Sequence, residues 1–152
     1  MTKSYPKPRL WYPKNPQKYK GDANNIWYRS SWELRVLKWF DNNPNVIEYS
    51  SEEIKVPYIS PIDGKYHNYY PDVIAKVKKY DGSIAIYMIE IKPHAQTLEP
   101  KPKKRITKTY INEVYTYGVN KEKWKAAIQY CKKRNWTFKI LTEKGENGEK
   151  IF

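Results

Sequence analysis

The sequence has 152 residues, enough for one domain with a hydrophobic core, and its formal net charge of +13 favours a polyanionic partner, most simply nucleic acid. Its single cysteine excludes an intramolecular disulfide and a cysteine-based zinc cluster. Because no apolar run approaches about 20 residues and no signal-peptide core is found at the start, we expect a protein that is neither membrane-bound nor secreted.

Residues 1–28 combine prolines, cations and aromatic side chains without a helical or strand period. They are therefore predicted to form an extended arm. Two interpretations of this arm stay open. Its interleaved cations and aromatic rings suit contact with phosphates and stacking on bases. Alternatively, the arm packs over the domain, with Trp11 and Trp27 as its anchors.

The first predicted helix begins near Ser30. Ser30 and Glu33 fit the capping box, in which two side chains satisfy main-chain N–H groups at the start of a helix. Apolar residues then recur at spacings of three and four, and Pro44 follows the end of the pattern. Short strands are predicted at residues 46–49 and 54–58. Glu33 thus has a structural explanation, and its functional interpretation is a third carboxylate at a metal site.

The rest of the chain is organised around a predicted hairpin. Two runs rich in β-branched residues, at 73–77 and Ile84–Ile91, flank Asp81 and Gly82. An Asp-Gly pair between such runs is a strong hairpin signal, because glycine accepts the positive φ that these turns demand.

Candidate catalytic residues lie at the hairpin end opposite the turn, where Asp72 opens the first strand and Glu90 and Lys92 close the second. A two-residue turn would set Asp72 opposite Ile91, whereas an odd-length loop or a bulge would set it beside Glu90 or Lys92. We predict the shifted register, because two carboxylates and a lysine at one point make a divalent-metal site. The alternative is a solvated strand face after an ordinary turn. Met88 on the same face as Glu90 favours burial, which a carboxylate tolerates only with a compensating cation.

The stretch that follows is dominated by proline and basic residues, and it is predicted to grip the phosphate backbone without choosing a sequence. The candidate DNA-binding residues are Arg29, Lys101, Lys103, Lys104, Arg105 and Lys108.

Helices are predicted at residues 106–117 and 121–134, separated at Gly118, and a last strand is predicted at residues 136–141. This gives three predicted parts, namely an arm at 1–28, a single domain at 29–142 and a polar tail at 143–152.

These motifs resemble the restriction-endonuclease-like superfamily of nucleases, known by the signature PD-(D/E)xK. Residues 71–72 (PD) and 90–92 (EIK) match that signature, and Glu33 matches the helix-borne acid of many members. The resemblance implies an α/β fold with a mixed central sheet flanked by helices, and Mg²⁺- or Mn²⁺-dependent hydrolysis of DNA phosphodiester bonds. The implied catalytic residues, of which the three acids would hold the metal, are Glu33, Asp72, Glu90 and Lys92.

Three further motifs resemble the head-completion nucleases of T-even-type tailed phages, and the likeness covers most of the chain. They are KNPQKYKGD at 14–22, YRSSWE at 28–33 and YGVN at 117–120. The resemblance implies a role in finishing the DNA-filled head, with DNA and portal or neck proteins as partners. It also implies a location in the host cytoplasm during assembly or in the virion. Residues 29–33 are similar as well to the endonuclease subunit of Tn7-type transposition systems.

Three functional hypotheses follow. The first is a metal-dependent DNA endonuclease of phage head completion, with little sequence preference because no base-reading helix is evident. The second is a structural DNA-binding protein that closes the head, with silent carboxylates. The third is an endonuclease that acts on DNA junctions or in transposition.

Overall fold

The computed structural model describes residues 7–144, which fold around a mixed four-stranded β-sheet with one helix on each face. The helices are α1 (Ser31–Asn42) and α2 (Lys108–Arg134), with short 3₁₀ helices at Pro16–Lys18 and His94–Thr97. The strands are β1 (Arg9–Trp11), β2 (Ile26–Tyr28), β3 (Val46–Ser51), β4 (Val56–Ile59), β5 (Tyr66–Tyr69), β6 (Val73–Lys78), β7 (Ile84–Ile91) and β8 (Thr137–Leu141). This confirms the predicted α/β class.

The central sheet has the strand order β3-β6-β7-β8, in which β7 and β8 run parallel and the other two pairings are antiparallel. Because side chains alternate along a strand, each face of the sheet has its own core. Val73 packs with Val36 of α1 on one face, and Met88 packs with Ala127 of α2 on the other. The two middle strands, β6 and β7, are therefore held between both helices.

The hairpin of β6 and β7 has the shifted register. Val73 faces Ile89, so that the next pair along the strands is Asp72 and Glu90. The connecting turn has an odd number of residues, and its Gly82 has φ +84°, in the left-handed region that such turns require. This confirms the predicted irregularity and brings the two carboxylates onto one face.

Helix α1 begins as the capping box predicts. The Ser30 Oγ accepts a hydrogen bond of 3.1 Å from the Glu33 N–H. The Glu33 Oε2 in turn accepts one of 3.1 Å from the N–H of Arg29, one residue earlier than in the standard box. Such a cap contributes about 1 kcal/mol to the stability of a helix.

The segment before α1 packs against the domain through Tyr19 and Ile26, which are 6% and 1% exposed. It contains β1 and β2, an antiparallel pair that the sequence analysis did not predict because neither strand has more than three residues. Trp11 packs at the edge of the core, but Trp27 is 45% exposed. The anchors are therefore Tyr19 and Ile26, with Trp11 beside them, and Trp27 is not one. Contact of this segment with DNA stays a prediction.

A buried carboxylate ties this segment to the end of α1. Asp41 is 1% exposed, and its Oδ2 accepts hydrogen bonds from the N–H groups of Lys14 at 3.0 Å and Asn15 at 3.2 Å. Its Oδ1 accepts one of 3.0 Å from the Tyr49 hydroxyl. The Lys18 ammonium donates to three carbonyl oxygens at the end of α1, at 3.1, 2.9 and 2.8 Å. We call Lys14, Asn15, Lys18, Asp41 and Tyr49 the N-terminal clasp.

Helix α2 is one helix of 27 residues, so the predicted division at Gly118 is wrong. An interior glycine costs about 1 kcal/mol relative to alanine, but it does not by itself end a helix. Beyond it, Asn120 and Trp124 are buried against the domain, and this packing continues the helix to Asn135, where φ is +62°. Neither helix in residues 7–144 is long and apolar enough to span a membrane.

A second hairpin, β4 with β5, packs beside α2. The sequence analysis missed β5, because its four residues show no alternation of apolar and polar side chains. Tyr69 at its end is 4% exposed and joins the core formed by Met88 and Cys131. The Cys131 Sγ lies 3.8 Å from the Met88 Sδ, and burial raises the pKa of the thiol to about 11.

Candidate active site

The hairpin register places two carboxylates side by side where β6 begins and β7 ends. Glu90 is 6% exposed, and Asp72 is partly exposed. The Asp72 Oδ2 accepts a hydrogen bond of 2.7 Å from the N–H of Ile91, so its side chain is fixed by the neighbouring strand. Both acids lie on the sheet face that α2 covers, next to Met88.

The surroundings of both carboxylates disfavour their charged forms. Burial, the Glu90 charge and the Glu33 charge raise the pKa of Asp72 well above its usual range. Burial also raises the pKa of Glu90, against the opposing effects of Tyr69, Lys92 and Lys123. Titratable groups shifted in this way by burial and by a specific neighbour are typical of functional sites.

Each oxygen of Glu90 has its own partner. The Tyr69 hydroxyl donates a hydrogen bond to Oε2, and burial raises the pKa of that hydroxyl, so it remains a donor at neutral pH. The Lys92 Nζ lies 3.7 Å from Oε1. The main-chain N–H of Lys92 donates to the Leu141 carbonyl of β8 at 3.0 Å, which fixes the main chain of Lys92 against β8. Glu90 is thus held in one orientation.

Glu33 approaches the pair from the first turn of α1. Its charge acts on Asp72, and its carboxylate accepts the hydrogen bond from Arg29 described above. Within residues 7–144, no three acidic, histidine or cysteine side chains converge into a metal-binding group. The structure therefore brings Asp72 and Glu90 together, with Glu33 near them as a separate charge.

The pair nevertheless fits a hard divalent cation. Asp72 and Glu90 supply carboxylate oxygens, the ligands that Mg²⁺ and Mn²⁺ prefer. Burial raises both pKa values, and the Glu90 charge raises that of Asp72 further; a divalent cation offsets both effects. Mg²⁺ commonly takes one or two carboxylates and fills its other positions with water and substrate phosphate.

Two comparisons with known proteins identify the family. Residues 43–143 match the family described as TnsA-like endonuclease N terminal. The chain is also 42% identical, over 139 residues, to the head completion nuclease of Enterobacteria phage T4, a match that covers 89% of this chain and 90% of the T4 protein. The chain belongs to this nuclease family. The family match contains Asp72, Glu90 and Lys92, whereas Glu33 lies before it and within the longer likeness to the T4 protein.

The residues predicted to bind DNA lie in the loop before α2, at the first residue of α2 and just before α1. All of them are exposed, as phosphate-contacting side chains in the family would need to be. The Lys103 Nζ lies 3.9 Å from the Glu113 Oε2 and 5.9 Å from the ring centroid of Tyr110, so α2 orients it. Binding of DNA stays a prediction for these residues, which are Arg29, Lys101, Lys103, Lys104, Arg105 and Lys108.

The sequence analysis missed two residues of this site. Tyr69 lies three residues before Asp72, but tyrosines are so frequent here, with 15 in the chain, that none of them is conspicuous. Lys123 comes from α2, and its Nζ lies 5.8 Å from the ring centroids of both Tyr58 and Tyr69. Only the fold brings this lysine to Glu90.

Proposed function

We propose that this protein is a metal-dependent DNA endonuclease of the PD-(D/E)xK type that acts in phage head completion. The observation that carries the proposal is the pairing of the partly exposed Asp72 with the buried Glu90, whose Oε1 lies 3.7 Å from the Lys92 Nζ. The similarity to the T4 head completion nuclease supports nuclease activity and head completion, and the net charge of +13 supports DNA as the substrate.

In this proposal, Asp72 and Glu90 hold Mg²⁺ or Mn²⁺, and Glu33 contributes directly or through a water. The cation, when bound, polarises the phosphate and lowers the pKa of a water molecule. Lys92 orients the attacking water and offsets negative charge in the transition state, because its ammonium lies beside the carboxylate that holds the cation. Tyr69 and the Ile91 N–H keep the two carboxylates in place.

The basic loop before α2 would bind the DNA backbone. Lys101, Lys104 and Arg105 are exposed in a segment without helix or strand, so they can follow phosphates of any sequence. Cleavage with little sequence preference follows from such contacts. We place the protein in the host cytoplasm during phage assembly or in the virion, with portal or neck proteins as further partners.

The test is a plasmid-nicking assay with Mg²⁺ or Mn²⁺. Glu90→Ala and Lys92→Ala are each expected to reduce cleavage by about a thousandfold or more, because each removes several kcal/mol of transition-state stabilisation. The matched control is Asp81→Asn, an exposed acid at the opposite end of the same hairpin, where asparagine suits the turn. It should cleave like the wild type.

A head-closing protein with silent carboxylates gives a different result. Wild-type protein would then bind DNA tightly and leave supercoiled, linear and branched DNA intact, and Asp72→Ala phages would assemble normally. A strong preference for four-way junctions over duplex would instead favour a junction-resolving enzyme.

A further inference from the structure

Helix α2 carries a lysine to the carboxylate pair. Trp124 and Ala127 mark the buried face of the helix, and Lys123, beside Trp124, lies at the edge of that face. Its ammonium lies near two aromatic rings, with its Nζ 5.8 Å from the centroid of Tyr58 in β4 and 5.8 Å from that of Tyr69 in β5. Cations at this distance are attracted to the ring faces. Two strands thus hold one long side chain in place.

The charge of Lys123 belongs to the same electrostatic group as the site. Burial lowers the pKa of Lys123, Glu90 and Asp72 act in the opposite direction by stabilising its positive charge, and Lys92 adds to the lowering. Lys123 in turn lowers the pKa of Glu90. Lys123 is therefore close enough to Asp72 and Glu90 to interact with their charges. It is the second cationic side chain, after Lys92, that acts on this pair of acids.

Lys123 has unused donors. In the part of the chain that the structure describes, no hydrogen bond or ion pair within 4.0 Å engages its ammonium. Lys92, by contrast, is paired with Glu90. An ammonium has three donors, and on the half-buried Lys123 they are available to an anion that enters the site. A phosphate oxygen is the anion that the proposed reaction brings to this place.

We propose that Lys123 is a second phosphate-binding lysine of the active site, whose ammonium donates to an oxygen of the phosphate that is cut. This inference rests on the proposed nuclease function. Its role differs from that of Lys92: Lys123 is held by aromatic rings and remains free to bind the phosphate, so it contributes charge as the transition state forms. The competing explanation is a purely structural counter-ion for Glu90.

The experiment compares Lys123→Gln and Lys123→Arg with Lys125→Gln. Lys125 follows two residues later and therefore lies about 200° around the helix from Lys123. It is exposed, and its Nζ lies 3.4 Å from the Glu122 Oε1. DNA binding is measured without divalent metal across a range of salt concentrations, and single-turnover cleavage is measured with saturating DNA. Thermal unfolding of each variant reports folding.

The salt slope is the slope of the logarithm of the DNA-binding constant against the logarithm of the salt concentration. For Lys123→Gln, we expect its magnitude to be smaller by about 0.9, because one phosphate contact and its counterions are lost. Cleavage at saturating DNA should fall by about a hundredfold, as when one transition-state donor is removed. The midpoint of thermal unfolding should change by less than about 3 °C. Lys123→Arg should recover most of the salt slope and part of the rate, and Lys125→Gln should match the wild type.

Two results would overturn the assignment. One is Lys123→Gln with the salt slope and saturating rate of the wild type. The other is a slower variant that unfolds at a clearly lower temperature with an unchanged salt slope, which is the behaviour of a structural counter-ion. If the wild type cuts no DNA, the nuclease proposal fails, and the metal-free salt slope still decides whether Lys123 binds phosphate.

Discussion

Two buried acidic sites in this protein have opposite surroundings. In the N-terminal clasp, the Asp41 carboxylate accepts hydrogen bonds from two main-chain N–H groups and from the Tyr49 hydroxyl. At the active site, Asp72 accepts one hydrogen bond from a main-chain N–H, and it lies opposite Glu90, a second carboxylate. One site therefore satisfies its charge with fixed dipoles, and the other brings like charges together.

The difference separates a structural acid from functional ones. A buried carboxylate with several donors links parts of the chain, and its removal leaves those donors unsatisfied. A pair of acids in which burial raises both pKa values, and the Glu90 charge raises that of Asp72 further, destabilises the fold unless a cation binds. Such a pair is expected where binding and catalysis, and not folding, require it.

The largest stability effect should come from the clasp. Asp41→Ala leaves the Lys14 and Asn15 N–H groups and the Tyr49 hydroxyl without their acceptor, and we expect a loss of about 3 kcal/mol in the free energy of unfolding. Chemical denaturation measures this loss. Cleavage per folded molecule should be nearly unchanged, since Asp41 takes no part in the proposed chemistry. A loss below about 1 kcal/mol would contradict the role of the clasp.

The opposite sign is expected at the active site. Asp72→Asn keeps an oxygen acceptor for the Ile91 N–H but removes one of the two facing charges. The metal-free variant should be more stable than the wild type by about 1 kcal/mol while its cleavage is lost, the trade-off expected of a functional residue. Denaturation in the presence of a chelator tests this. A destabilised Asp72→Asn protein would mean that the two sites do not differ as described.

The smallest and most diagnostic effect is a dependence on pH. The folded pKa values of Asp72 and Glu90 lie above their ordinary values of 3.8 and 4.5, so the folded chain retains protons that the unfolded chain has released. Stability of the metal-free wild type should therefore decrease as pH rises from about 4 through the raised folded pKa values. The stability difference between Asp72→Asn and the wild type should be small at pH 4 and increase towards neutral pH. A difference that stays constant with pH would show that repulsion between the charged acids is not the cause.

Local patterns predicted much of this fold. Asp81-Gly82 predicted the central hairpin, and Ser30 with Glu33 predicted the cap of α1. The positions of Asp72 and Glu90 led to the shifted register. What escaped prediction depends on distant contacts. Gly118 suggested a helix break, but packing around Trp124 overrides it. Lys123 is one of 29 basic residues in the sequence, and only the fold brings it near Glu90, which lies 33 positions earlier in the chain.

The buried thiol described earlier has a consequence for oxidation. Cys131 is the chain's single cysteine, it is 1% exposed, and its pKa is raised to about 11. At pH 8 only about one molecule in a thousand would then carry the reactive thiolate, and that thiolate would be shielded by the core. Two copies cannot readily become cross-linked through disulfides. The protein should therefore keep its fold in oxygenated solution, and it can be purified and assayed without a reducing agent.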